Sequence, residues 1–259
     1  MADEVAPGVW WLHGSRGSNV FLAETDEGLA LIDAGFASSF KGIVRDVERT
    51  RSGARVTHVF LTHSHVDHAG AAAAFRQHYG AVVVAGAADC DVGASGTHIL
   101  REHLGASHLG RRVVRRALAR PVAVSEVLVD APLAGEQRVA GVLAVPTPGH
   151  TPGSYCYVLE DRSVAFVGDL VISHRRGLSR PMVAANSDDA EYLRSLQAFA
   201  SRAPDLGCPG HGRPVQGGFR GQLDSLSDAR RRRPWSPIGG WTRVRRMWEF
   251  GRATTRLRR

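Results

Sequence analysis

The sequence predicts a layered α/β fold, an α+β arrangement in the wide sense, built as one principal domain. Three observations lead there. Short apolar β-type runs alternate with helical segments along most of the chain, and the segments that concentrate histidine and aspartate each follow one of those runs. A chain of 259 residues, 43% hydrophobic and 22% charged, is also long enough to bury one large core.

The N-terminal third reads as strands first. Residues 8–13, 19–24 and 28–33 are β-type runs separated by Gly, Ser and Asp-Glu turns, the pattern of an antiparallel meander. A helix is predicted over 39–51, a buried strand over 56–61, an alanine-rich helix over 69–79 and a strand over 81–85. From 97 to 120, Leu100 and Leu104, Leu109 with Val113 and Ala117, and Val114 with Leu118 recur at helical spacing, with Arg111, Arg112, Arg115 and Arg116 among them. This predicts an amphipathic basic helix or helix pair, either packed on the core like any surface helix or laid as a lid over a site. After Pro121 strands return at 122–129, 137–145, 154–159 and 163–167, followed by a helix over 188–202 and a short strand near Leu206.

The chemistry gathers in Thr62-His63-Ser64-His65-Val66-Asp67-His68, where four metal-capable side chains fall within six residues. In extended backbone successive side chains alternate faces, so His63, His65 and Asp67 are expected to project together, with His68 turning away where a helix begins. Three further segments carry related residues: His150 in the Pro- and Gly-dense turn 146–153, Asp169 after Gly168, and His211 within Pro209-Gly210-His211-Gly212. Side chains leaving strand ends can meet along one edge of a layered sheet, so residues far apart in sequence can share a site. Five histidines (63, 65, 68, 150 and 211) and two aspartates (67 and 169) exceed what one tetrahedral zinc uses, and two ions are the natural inference. Imidazole and carboxylate without thiolate suit zinc first, with manganese and iron as alternatives. Cys90, Cys156 and Cys208 are far apart, odd in number and in no C-x-x-C pair, and read as small apolar residues rather than disulfides or ligands.

These four segments, with Leu31-Ile32-Asp33-Ala34-Gly35, resemble the metallo-β-lactamase-fold hydrolase superfamily, and they do so in family order over residues 8 to about 215. The resemblance implies a four-layer αββα sandwich, two mixed β-sheets flanked by helices, with the metal site at one edge. It implies that His63, His65 and His150 hold one ion, that Asp67, His68 and His211 hold the second, and that Asp169 bridges both. Asp33 matches a residue that supports the ligand loop from behind. His174, five residues after Asp169, falls where several relatives place a substrate-contacting group and is a candidate pocket residue. His13, His58, His78, His98, His103 and His108 match no ligand position. Aspartate at 169, where the best-known zinc β-lactamases carry cysteine, disfavours antibiotic hydrolysis; within the resemblance it is shared by glyoxalase II-like thioesterases, acyl-homoserine lactonases, alkylsulfatases and the tRNA 3′-processing ribonuclease.

The expected activity is therefore that of a dinuclear metal-dependent hydrolase, a metal-bridging hydroxide attacking a thioester, lactone or other ester, with Asp67 or a metal-bound water as the catalytic proton carrier. Two alternatives remain open: a phosphodiesterase or nuclease of the same fold, and a mononuclear iron oxidoreductase resembling persulfide dioxygenases.

Domain organisation follows from charge. Residues 215–259 hold twelve arginines against Asp224, Asp228 and Glu249, a net of +9, so the whole-chain charge of +8 leaves residues 1–214 near −1. A hydrolase domain over 1–215, with the basic helical insertion at about 97–120, is expected to precede an arginine- and tryptophan-rich extension over 216–259. Trp241, Val244 and Trp248 lie at helical spacing in that extension. Packing on the body or in a homodimer, or a peripheral contact with an anionic membrane, would account for them. The expected partner is a small ester or thioester, nucleic acid being disfavoured. The acidic start Met1-Ala2-Asp3-Glu4 and the absence of a long apolar run predict a cytoplasmic protein.

Overall fold

The computed structural model describes residues 2–93, 96–101 and 126–228. The expected basic helix from 102 onward and the extension from 229 onward lie outside the described residues.

Two seven-stranded sheets form the centre. The first runs β1 (Asp3–Ala6), β2 (Val9–Leu12), β3 (Val20–Thr25), β4 (Gly28–Ile32), β5 (Val56–Phe60), β6 (Val82–Gly86) and β10 (Ala131–Leu133). The second runs β11 (Gln137–Val139), β12 (Val142–Pro146), β13 (Tyr155–Leu159), β14 (Val164–His174), β16 (Leu206–His211) and β17 (Val215–Gln216), with β15 (Gly177–Ser179) paired to β14. A small third sheet joins β7 (Cys90–Val92), β8 (His98–Leu100) and β9 (Leu128–Val129). Five α-helices are described: α1 (Phe40–Thr50), α2 (Val66–Ala69), α3 (Ala72–Tyr79), α4 (Asp189–Ala200) and α5 (Phe219–Asp228). Both large sheets mix parallel and antiparallel pairs, β4–β5–β6 and β14–β16 being parallel.

Side-chain alternation explains the layers. In β3, Val20 and Leu22 point into a core they share with Ile43 and Val47 of α1 and Phe75 of α3, whereas Phe21 and Ala23 point the other way. That second core lies between the sheets, where Phe21, Ile32 and Phe60 meet Tyr157, Phe166 and Cys208. A third core lies beyond the second sheet, where Val158, Ala165 and Val167 meet Tyr192, Leu196 and Phe199 of α4 and Phe219 and Leu223 of α5. Strands buried on both faces need near-continuous apolar sequence, as Val164-Ala165-Phe166-Val167 shows. The result is the αββα sandwich.

Several boundaries differ from expectation. The meander is antiparallel as expected, with β1 added in front of it. The run 137–145 is a tight hairpin, broken where Ala140 (φ 49°) and Gly141 (φ 80°) turn the chain. Residues 98–100, expected to start a helix, form β8, because pairing with β7 and β9 outweighs local helical spacing. The strand expected to stop at 167 continues to His174, so Asp169 sits within β14, where its register against β16 shifts on both sides of Gly168. Cys156 and Cys208 are buried and Cys90 half-buried; all three are free thiols, and burial pushes Cys156 up to about 12.

Candidate active site

The two sheets meet at one edge, and each contributes ligands there. From the first sheet, the chain leaves β5, passes Leu61 to His65 in bends, and enters the one-turn helix α2. His63 and His65 sit before this switch; Asp67 and His68 sit on the helix. The expectation that Asp67 continues the extended alternation of His63 and His65 is thus corrected: the turn into helix at Val66 separates the two pairs. From the second sheet come His150 in the β12–β13 turn, Asp169 in β14 and His211 at the end of β16.

All seven residues gather as two adjoining sets. His63, His65, His150 and Asp169 form one, Asp67, His68 and His211 the other, with ligand-capable atoms in each set within 4.8 Å of one another. In the first set, His65 Nδ1 is 3.1 Å from His63 Nε2 and 3.2 Å from His150 Nε2. In the second, His68 Nε2 is 3.4 Å from His211 Nε2, and His211 Nε2 is 3.4 Å from Asp67 Oδ2. Asp169 faces both: its Oδ1 is 3.4 Å from His68 Nε2 and His211 Nε2, while its Oδ2 is 3.6 Å from His150 Nε2.

The far side of each ring fixes which nitrogen faces inward. Asp33 Oδ2 accepts from His68 Nδ1 at 2.7 Å, and Asn186 Oδ1 accepts from His150 Nδ1 at 2.9 Å. The Thr62 hydroxyl donates to Asp33, so toward His63 Nδ1, 3.0 Å away, it acts as acceptor. With Nδ1 protonated in each case, the Nε2 lone pairs of His63, His68 and His150 converge on the centre. Asp33 itself holds φ 61°, a left-handed conformation rare for a side chain other than glycine, and its carboxylate also takes the Thr62 amide proton at 2.8 Å.

Charge agrees with a cation site. Burial lowers the basicity of His68, but Asp33, Asp67 and Asp169 outweigh it and hold the imidazole well above the ordinary histidine value, so the carboxylates draw positive charge to this point, a proton on Nε2 or a cation that displaces it. Burial, reinforced by His68, His65 and His150, pushes His63 well below that value. Burial alone would raise the Asp169 carboxyl; His211 and His68 outweigh it and keep it ionised. Asp169 Oδ1 is buried and accepts no hydrogen bond. Such an orphaned carboxylate oxygen among inward-facing imidazole lone pairs fits a divalent cation, and the N and O donor set is one zinc, manganese or iron accepts.

Close approach requires glycine at two places. A Cβ on Gly168 would lie 2.5 Å from Thr62 Oγ1, and one on Gly210 would lie 2.5 Å from His68 Cε1 and 2.8 Å from Asp169 Oδ1.

Comparison with known proteins agrees with this geometry. The model of the metallo-beta-lactamase superfamily matches residues 13–211. The chain belongs to that superfamily. Among curated relatives, the uncharacterized protein YobT of Bacillus subtilis (strain 168) is 27% identical over 203 residues, 75% of this chain and 83% of YobT. The atrochrysone carboxyl ACP thioesterase of Aspergillus fumigatus is 26% identical over 209 residues, 78% of this chain and 52% of the thioesterase. The chain spans about half the length of the fungal relatives it matches. The crystal structure of TTHA1623 in a di-iron-bound form superposes with a TM-score of 0.54 at 22% identity, covering 81% of this chain and 96% of TTHA1623. Two of these relatives are named as thioesterases, and the chain's own His/Asp groups are of a kind that could hold metal ions.

His174 ends β14 on the exposed hairpin to β15, where its Nε2 lies 2.8 Å from the Ser179 hydroxyl. It is not part of either donor set. Asn186, Asp89 and Asn19 were not among the residues the sequence singled out, since each is one polar residue with no repeating pattern around it. Among the described residues no helix is long and apolar enough to cross a membrane.

Proposed function

We propose that the chain is a dinuclear metal-dependent hydrolase of esters, with thioesters as the leading substrate class. The observation that carries this reading is Asp169, a single carboxylate that turns one oxygen to each donor set. Two divalent ions bound there, zinc first and manganese or iron next, would polarise a carbonyl and make water nucleophilic near neutral pH. His63, His65 and His150 would hold one ion and Asp67, His68 and His211 the other, with Asp169 shared between them.

The chain's own groups divide the remaining work. Asp33, Thr62 and Asn186 hold the imidazoles as Nδ1 tautomers, so each presents Nε2. Asp67 is the more exposed of the two aspartates, at 24% against 12% for Asp169. Burial raises its carboxyl, but His68 and His211 outweigh burial and keep it ionised. As the more exposed carboxylate at the site, Asp67 is the group assigned to carry a proton from the attacking water to the leaving atom. Thioesterase-named relatives support the choice of bond.

Metal quantification on purified protein, followed by a hydrolysis screen across thioesters, lactones, phosphodiesters and β-lactams, tests the reading. It predicts two ions per chain and thioester cleavage that disappears in His65→Ala and Asp67→Ala proteins with unchanged folding. Full activity in metal-free protein would overturn it. One iron per chain with oxygen uptake on a persulfide would assign the oxygenase chemistry instead, and preferred phosphodiester cleavage would assign the nuclease.

A further inference from the structure

We infer that Asp89 and Asn19 are positioning residues that each brace a different donor set, so that the two ions are held by separable supports. The inference rests on the dinuclear reading and concerns residues that touch neither ion nor substrate.

Asp89 closes a one-turn 3-10 helix (Ala87–Asp89) directly after β6 and is buried to 1% exposure. Its Oδ2 accepts from the Ser64 amide at 3.1 Å and from the Thr151 hydroxyl at 2.7 Å, and its Oδ1 accepts from the Gly153 amide at 2.7 Å. Ser64 stands between His63 and His65, and Thr151 follows His150. One carboxylate therefore ties the first-sheet loop to the second-sheet loop at the first donor set. The approach is close enough that a Cβ on Gly153 would lie 2.7 Å from Asp89 Cγ, so the turn after His150 is shaped around this side chain. A buried carboxylate with three donors is a strong support, because its hydrogen bonds are charge-assisted.

Asn19 precedes β3 on the other side of the site. Its amide nitrogen Nδ2 donates to the carbonyls of Pro209 at 2.9 Å and Gly212 at 2.6 Å, and its backbone N–H donates to the Gly210 carbonyl at 2.7 Å. Three carbonyls around His211 are thus held by one residue. Trp11 Nε1 donates to Asn19 Oδ1 at 3.0 Å, which orients the amide with its NH2 toward the loop. The neighbouring Ser18 hydroxyl donates to the Asp67 carbonyl, so the corner at 18–19 grips two of the three residues of the second set. None of these bonds reaches the first set, and none of the three described for Asp89 reaches the second.

Supports of this kind set ligand affinity by about 10- to 100-fold. The test is a competition titration of the metal-free full chain with zinc against a chelator, reading two dissociation constants. His150→Ala and His211→Ala proteins identify which binding step belongs to which set. Asp89→Asn should weaken the His150-linked step by about tenfold or more and leave the other within about threefold; Asn19→Ala should do the reverse. Trp11→Phe should shift the same step as Asn19→Ala, by less. Thr151→Val, which removes one hydroxyl at constant side-chain size, repeats the question for Asp89 if the metal-free Asp89→Asn protein melts early. Equal weakening of both steps, or no change in either, would overturn the separate braces while leaving the dinuclear reading intact. Fewer than two zinc ions on the wild-type chain would overturn both.

Discussion

Asp33 Oδ2 and His68 Nδ1 lie 2.7 Å apart, both fully enclosed, and the same carboxylate takes two more hydrogen bonds from the Thr62 amide and hydroxyl. An asparagine at 33 would tolerate the left-handed backbone but would turn one NH2 toward a cluster of donors. Asp33→Asn is expected to cost about 2 kcal/mol in urea unfolding of the metal-free protein, the loss of charge-assisted bonds to buried groups. A cost below about 0.5 kcal/mol would show that the carboxylate is not what holds Thr62 and His68.

The Tyr157 hydroxyl donates to the Leu61 carbonyl at 2.7 Å, deep between the sheets and two residues before His63. Tyr157→Phe keeps the ring packing on Phe60, 5.1 Å away between centroids, and leaves a buried carbonyl without its donor. The expected cost is about 1–2 kcal/mol by chemical denaturation. Unchanged stability would mean that the carbonyl finds another donor.

Asp130 supplies the pH-dependent case, well away from the metal cluster. Burial raises its carboxyl, but the bidentate Arg76 guanidinium and the Val83 amide outweigh burial and lower it below the ordinary value of 3.8. A depressed folded-state value contributes stability that is complete above the unfolded-state value and disappears as pH falls through the folded one. Asp130→Asn should therefore be less stable than wild type at pH 7, by about 1 kcal/mol or less because Arg76 is largely in solvent, and the gap should close as pH falls below the ordinary carboxyl value of 3.8. Denaturation curves at pH 7 and pH 3 check the sign: a gap that widens on acidification would contradict it.

Legibility in the sequence follows what repeats. The apolar runs of β3 to β6 and the four ligand-bearing segments are patterned over several residues, so both the layered fold and the seven gathered side chains could be read before any coordinates. What escaped was set by partners distant in sequence. His98 to Leu100 look helical locally and become a strand only because β7 and β9 pair with them. Asp169 looked like a residue after a strand, whereas the register shift at Gly168 places it inside one. Asn19 and Asp89 are ordinary polar residues until Pro209 and Thr151 arrive beside them.

Each donor set draws on both sheets: His63, His65, Asp67 and His68 come from the first, His150, Asp169 and His211 from the second. Neither half of the chain can assemble a complete ion site alone. Ions bound there would act as rivets between two plates, capturing the molecule only after the halves have closed and resisting their parting afterwards. Any agent that binds the closed form and not the open chain adds stability that grows with its concentration. On the proposed function, metal supply would then set not only how fast the protein turns over but how long its two halves stay joined.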